Sequence, residues 1–174
     1  MRKQALATLI LSVWGITITT PLYCAEWKTY TRPGSYLLKY PASWLRQLSV
    51  KDGSLKLLPP AKAQFEIAIQ SGSNPATNTA LTPNELLEQI CIPEIKKISG
   101  VEILEKWKAT VGGLDAATAL YTFMKKPGGK MRFKSYIFTK DARYYEITFG
   151  GKDSSFVDFS DDAEKIINSF KLLK

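Results

Sequence analysis

The 174 residues contain no histidine. That removes the commonest general base and the commonest metal ligand, so neither a Ser-His-Asp nor a Cys-His triad can be assembled within the chain. Cysteine is scarce: Cys24 and Cys91 are the only two, and a folded part that keeps Cys91 alone has no internal disulfide. Cys91 reads as a small buried apolar residue. Phosphate-binding loops are missing as well. Gly112-Gly113 and Gly128-Gly129 have the character of hairpin turns and lack G-x-G-x-x-G or Walker spacing. Asp158, Asp161 and Asp162 lack the spacing and the glycine of a calcium loop, and read instead as charge favourable to a helix start. No internal repeat and no low-complexity tract is present.

What the chain does have begins with an apolar leader. Arg2 and Lys3 precede an uncharged run from Leu6 to Ile18, closed by Thr19-Thr20-Pro21 and the small Ala25. This is the layout of a cleavable signal peptide over residues 1–25. The run from Gln4 to Ala25 reaches the roughly 20 apolar residues of a spanning helix, so an uncleaved anchor is the alternative. A third reading makes Cys24 an acylated N-terminus, although Pro21-Leu22-Tyr23 before it is a poor lipoprotein match. The expected location is exported and periplasmic, with nucleic acid out of reach. Residues 26–174 are the size of one domain, and loss of Arg2 and Lys3 lowers the formal charge of +8 by two, to +6. Such a charge suits an anionic partner or plain solubility.

Along the domain, Trp27–Tyr30, Ser35–Tyr40, Leu45–Val50 and Ser54–Leu58 read as short strands, with a turn at Lys51-Asp52-Gly53 and Trp44 pointing inward from a single helical turn. From Gln64 to Gln70 the pattern alternates, with Phe65, Ile67 and Ile69 on one face. Ser71–Ala80 is a polar loop. Thr82-Pro83-Asn84-Glu85 is a helix start with a capping box; Leu87, Ile90, Cys91, Ile95 and Ile98 form its apolar face, Pro93 should kink it, and Gly100 ends it. Four strands follow as an antiparallel meander. The first should carry Val101, Ile103, Trp107 and Ala109 on one face, the second Ala117, Ala119, Tyr121 and Phe123. A helix over 154–169 closes the domain, with Phe156, Phe159, Ala163, Ile166, Ile167 and Phe170 as its stripe. The fold class is α+β, an antiparallel sheet with helices packed on it.

The carboxylates Glu66, Glu146 and Asp115 sit at polar strand or turn positions and read as solvated. A basic row is more informative. Lys130, Arg132 and Lys134 share one face of a strand with Tyr136, and Lys125 and Lys126 flank them across a hairpin. These five are the candidate contacts for an anionic protein or membrane-complex surface; the alternative is a solvated face or a charged edge that blocks aggregation. No residue is a candidate for catalysis, cofactor or metal.

Tyr36-Leu37-Leu38-Lys39-Tyr40-Pro41-Ala42-Ser43-Trp44 resembles the opening of the PsbP-like family. The helix from Thr82, Val111-Gly112-Gly113, Tyr144-Tyr145-Glu146-Ile147-Thr148-Phe149 and Ile166-Ile167-Asn168-Ser169-Phe170 follow in the same order. The resemblance runs from about Trp27 to Leu172. It implies an α/β/α sandwich with a central antiparallel sheet flanked by helices, no cofactor and a non-catalytic role. Relatives of that kind include extrinsic subunits of photosystem II, a eukaryotic Ran-binding factor, and bacterial periplasmic proteins or lipoproteins. Without histidine, the metal-linked sites of the photosystem members do not carry over.

Three functions remain open: a binding or assembly factor for an envelope or membrane protein complex, a small-ligand or lipid-binding module with peripheral membrane association, and a photosystem II-associated extrinsic protein. Mass spectrometry of the chain recovered from a native envelope is expected to find its N-terminus at Cys24, Ala25 or Glu26. An intact Met1–Ala25 would contradict export with cleavage.

Overall fold

The structure, a computed structural model, describes residues 26–49, 53–60, 63–74 and 81–173. The leader with Cys24, most of the Lys51-Asp52-Gly53 turn and the later half of the Ser71–Ala80 loop lie outside the described residues.

Apolar alternation builds most of the molecule. Strands β1 (Trp27–Arg32) and β2 (Tyr36–Pro41) form a hairpin, and β2 also pairs with the short β10 (Lys171–Leu172). The remaining strands are β3 (Leu45–Leu48), β4 (Leu55–Leu58), β5 (Phe65–Ser73), β6 (Glu102–Val111), β7 (Leu114–Lys125), β8 (Gly129–Lys140) and β9 (Arg143–Lys152). They form one antiparallel sheet in the order β3-β4-β5-β9-β8-β7-β6. Trp44 is buried, held by a turn in which its amide donates to the Pro41 carbonyl, 2.9 Å away. It packs edge-on against Phe65 and Phe159.

Period-2 alternation sends successive side chains to opposite faces, so the sheet has two cores. One lies under helix α3 (Asp153–Asn168) and the β1-β2-β10 sheet. It contains Tyr36, Leu38, Phe65, Ile67, Phe138, Ile147, Phe149, Ile166 and Phe170. The other lies under a broken helix and contains Leu86, Leu87, Ile92, Ile95, Ala117, Ala119, Tyr121 and Ile137. Helices on both faces of an antiparallel sheet make this an α/β/α sandwich, as the resemblance implied.

The broken helix shows how local chemistry sets a boundary. Thr82 accepts from the Glu85 amide, and the Glu85 carboxylate accepts from the Thr82 amide at 2.8 Å, with Pro83 in the first turn. Helix α1 (Pro83–Leu86) then widens into a π-turn over Leu87–Cys91 before α2 (Ile92–Lys96). Pro93 explains the widening: it has no N–H to give, and its ring would strike a carbonyl of a regular turn. The Ile92 amide reaches back five residues to the Leu87 carbonyl. The extra residue shifts the helical phase. Ile92 replaces Ile90 and Cys91 beneath Leu87, so Ile90 is exposed and Cys91 half-buried, correcting the expected apolar face.

A second correction lies in β6. A bulge between Ile103 and Glu105 shifts the register by one residue, which exchanges faces. Val101 and Ile103 join the core beneath the broken helix, whereas Ala109 and Val111 join the core beneath α3. Gly112, at φ +58°, explains the Val-Gly-Gly sequence. A Cβ there would sit 2.6 Å from the Phe170 carbonyl oxygen, where the end of α3 meets the β6–β7 turn.

Phe170 is 1% exposed and stacks on Tyr36 at 5.0 Å while meeting Phe138 edge-on. It therefore ties the small sheet, α3 and the large sheet together. Phe170→Ala is expected to lower unfolding stability by about 3–5 kcal/mol and Ile166→Ala by about 2–5 kcal/mol, read as the urea midpoint.

Candidate functional site

Strand β8 carries the basic row. Its alternation places Lys130, Arg132, Lys134 and Tyr136 on one face, and that face is the one beneath α3, because Tyr136 and Phe138 belong to the α3-side core. The helix brings carboxylates down onto the row. Arg132 Nε lies 2.8 Å from Asp153 Oδ1, with its guanidinium 5.4 Å from the Phe156 ring. Lys134 Nζ lies 2.6 Å from Glu164 Oε1 and 4.9 Å from both the Trp107 and Tyr136 rings. The Tyr136 hydroxyl donates to the same carboxylate, at 2.8 Å from Oε2. Lys134 is only 17% exposed.

The expected five-residue row is thus divided. Arg132 and Lys134 are each paired within the fold to a half-buried carboxylate of α3, which leaves them less free than an unpaired lysine to take another anion. Lys125, Lys126 and Lys130 are exposed at the end of the β7–β8 hairpin and form no ion pair among the described residues. No acidic residue occurs between Asp115 and Asp141, so the hairpin contains nothing to neutralise them. Its turn is formed by Lys126, Pro127 and Gly128, with a cis peptide bond before Pro127.

Beside the hairpin, on the other face of the sheet, is an open cleft of about 480 Å³. Leu58, Phe65, Glu66, Lys125, Met131 and Phe133 are among its lining residues. It exists because the broken helix covers Ala117, Ala119, Tyr121 and Ile137 and stops short of this corner. The Phe133 ring stacks between Tyr121 at 5.8 Å and Phe123 at 5.7 Å, giving the cleft an aromatic wall. Glu66 is paired with Lys56 at 3.0 Å. Glu146 accepts from Gln70 and from Thr148, and Thr148 and Ser135 share a hydrogen bond of 2.7 Å. Asp115 stands near the β6–β7 turn, opposite Thr110.

Sequence reasoning missed the cleft and the exposed Met124 next to the lysines. The missing acids between Asp115 and Asp141 were the readable signal. The cleft had only the side-chain-free Gly150-Gly151 pair that lines it, because its extent depends on how far a helix reaches across a sheet.

The displaced titratable groups among the described residues all move away from neutrality. Burial, reinforced by the neighbouring Glu146, pushes the Cys91 thiol up to about 12, the opposite of an activated nucleophile. Burial also raises Tyr36 and Tyr121 to about 12, and raises Tyr144 and Tyr136; for Tyr136 the bond to Glu164 adds to the effect. The Thr82 amide lowers Glu85. No group of three metal-ligating side chains occurs among the described residues.

Comparison with known proteins agrees with this architecture. A family model described as PsbP-like protein matches residues 24–172. No curated protein matches the sequence. Among solved structures, the cyanobacterial PsbP of Synechocystis sp. PCC 6803 superposes with a TM-score of 0.65 at 10% identity, covering 88% of this chain and 96% of that one. LpqN of Mycobacterium tuberculosis, described as involved in cell envelope biogenesis, gives 0.60 at 16% identity, covering 87% and 92%. A protein of Bacteroides thetaiotaomicron gives 0.63 at 15% identity, covering 84% of this chain but 48% of that one, so this chain spans about half its length.

The clasp over Tyr136 has a pH signature. Tyr36, Tyr121 and Tyr136 have folded pKa values above the unfolded value of about 10. Above that pH the unfolded chain loses protons first, so stability is full below about pH 10 and falls as pH rises toward 12. Tyr136→Phe is expected to cost about 1–2 kcal/mol at pH 7, from its lost bond to a carboxylate. Its urea midpoint should then decline less steeply between pH 10 and 12 than that of the unsubstituted chain.

Proposed function

The chain belongs to the PsbP-like protein family, and on that premise we propose that it is an exported, periplasmic, non-catalytic binding or assembly factor for an envelope or membrane protein complex. The observation that carries this reading is the β7–β8 hairpin end. It presents Lys125, Lys126 and Lys130 exposed and uncompensated, beside an aromatic-walled cleft. Arg132 and Lys134 contribute by holding α3 behind that end. Support for a non-catalytic role comes from displaced pKa values that all move away from neutrality. Support for an envelope setting comes from LpqN, a neighbour in fold alone that is described as involved in cell envelope biogenesis. No helix among the described residues is long and apolar enough to cross a membrane.

A second reading, a small-ligand module, rests on the cleft of about 480 Å³, within the size range of ligand sites. Its open shape and the exposed Lys125 among its lining residues favour a partner's protruding side chain over an enclosed ligand.

Exposed charges act chiefly on association rate and salt dependence. Reversing Lys125, Lys126 and Lys130 to Glu is therefore expected to reduce partner recovery from envelope extract at low salt by about tenfold or more, with an unchanged urea midpoint. Reversing Arg132 and Lys134 instead should lower the midpoint, because it sets like charges against Asp153 and Glu164. Unchanged recovery with the triple variant would move the docking surface elsewhere.

A further inference from the structure

Met124 precedes the lysines and is 60% exposed. It lies on the α3 side of the sheet, opposite Lys130 in the β7–β8 register, and all seven residues from Met124 to Lys130 are exposed. The hairpin end therefore holds an exposed, unbranched apolar side chain with Lys130 on its own face of the sheet, Lys125 on the other and Lys126 at the turn, together with two glycines and a proline. Its hydrogen-bonding character is one-sided. From Phe123 to Lys134 the sequence FMKKPGGKMRFK has no side chain that accepts a conventional hydrogen bond through oxygen or nitrogen; Lys and Arg donate only. A protein surface mixes donors and acceptors and normally asks for both in return. An anionic phospholipid surface offers phosphate acceptors and negative charge, with hydrocarbon a few ångströms beneath.

We propose that the β7–β8 hairpin end is a bilayer contact: Lys125, Lys126 and Lys130 engage anionic lipid phosphates while Met124 enters the interface. The inference rests on the docking reading for its setting and narrows the first partner to the lipid around the complex. Arg132 and Lys134 stay with Asp153 and Glu164 and do not join this contact. They fix the angle at which the hairpin leaves the body, through α3. The binding is peripheral and reversible, because three cations and one apolar side chain fall well short of a stable anchor.

The test uses the purified chain without its leader and vesicles of phosphatidylcholine, with or without 30 mol% phosphatidylglycerol (on the order of a bacterial anionic fraction). Co-sedimentation is expected with the anionic vesicles at low salt and to disappear at about 0.5 M salt. Charge reversal of the three lysines should weaken it by roughly 100-fold or more. Met124→Ser leaves every charge in place and should weaken it by roughly tenfold, whereas Val157→Ser, at an exposed site on α3, should not change it. Met124→Trp should add a fluorescence component that shifts to the blue on adding anionic vesicles. No sedimentation with anionic vesicles at low salt, or sedimentation equally strong in the triple-lysine variant, would overturn the lipid contact. Binding unaffected by Met124→Ser with no blue shift would also overturn it, because the apolar insertion would be missing. If vesicle binding fails while envelope-extract recovery still depends on the lysines, the docking reading stands with a protein partner. If vesicle binding holds while recovery ignores the lysines, the docking reading fails alone.

Discussion

A seven-stranded sheet has two faces to bury, and this chain has helix enough for one face and part of the other. The α3 side is closed by a 16-residue helix together with the three-stranded sheet. The opposite side has only α1, a π-turn and α2, which together run from Pro83 to Lys96. At 1.5 Å of rise per residue, 14 residues span about 21 Å, while seven strands at about 4.8 Å spacing are nearly 30 Å across. The uncovered corner becomes the cleft, floored by Phe133 and edged by the projecting hairpin. Site and scaffold are consequences of the same shortage of cover.

The charges follow from it too. A strand on the long hairpin must turn alternate residues toward α3, and in β8 those residues are Arg132 and Lys134. There they are half-buried, and α3 offsets the lost hydration by bringing Asp153 and Glu164 to them. Tyr136 completes the arrangement by donating to Glu164 from the same strand face. The helix thereby separates one continuous basic row into an inner pair held in ion pairs and an outer, exposed trio with no ion pair among the described residues. Lys125, Lys126 and Lys130 lie beyond the reach of α3.

Much of this was legible in the amino-acid order, and the exceptions share a cause. Thr82-Pro83-Asn84-Glu85 announced its helix because capping is settled within four residues. Phe65, Ile67 and Ile69 announced their strand by alternation. Tyr121, Ile166 and Phe170 are buried as expected because each lies on the apolar side of a clear period, and Trp44 is buried as expected from its turn. The phase slip at Pro93 and the face exchange at the Ile103–Glu105 bulge were hidden, since one extra residue in a turn or ladder reverses a pattern without altering composition. The fate of Arg132 and Lys134 was hidden for another reason. Their strand face could be read from spacing, but what lay over it depended on Glu164, 30 residues from Lys134, and on the angle at which α3 crosses the sheet. The cleft left only the Gly150-Gly151 pair as a local trace.

The central claim is that this fold works through the end of the β7–β8 hairpin and not through the opposite end of the same strands. Lys126 and Lys140 are both exposed and stand near the two ends of β8, whose 12 residues span about 36 Å. A photo-crosslinking side chain placed at each position, with the protein bound to native envelope membranes, compares the two ends directly. The account predicts cross-links to lipid or a membrane partner from position 126 and little or none from position 140. Cross-links confined to position 140 would contradict it.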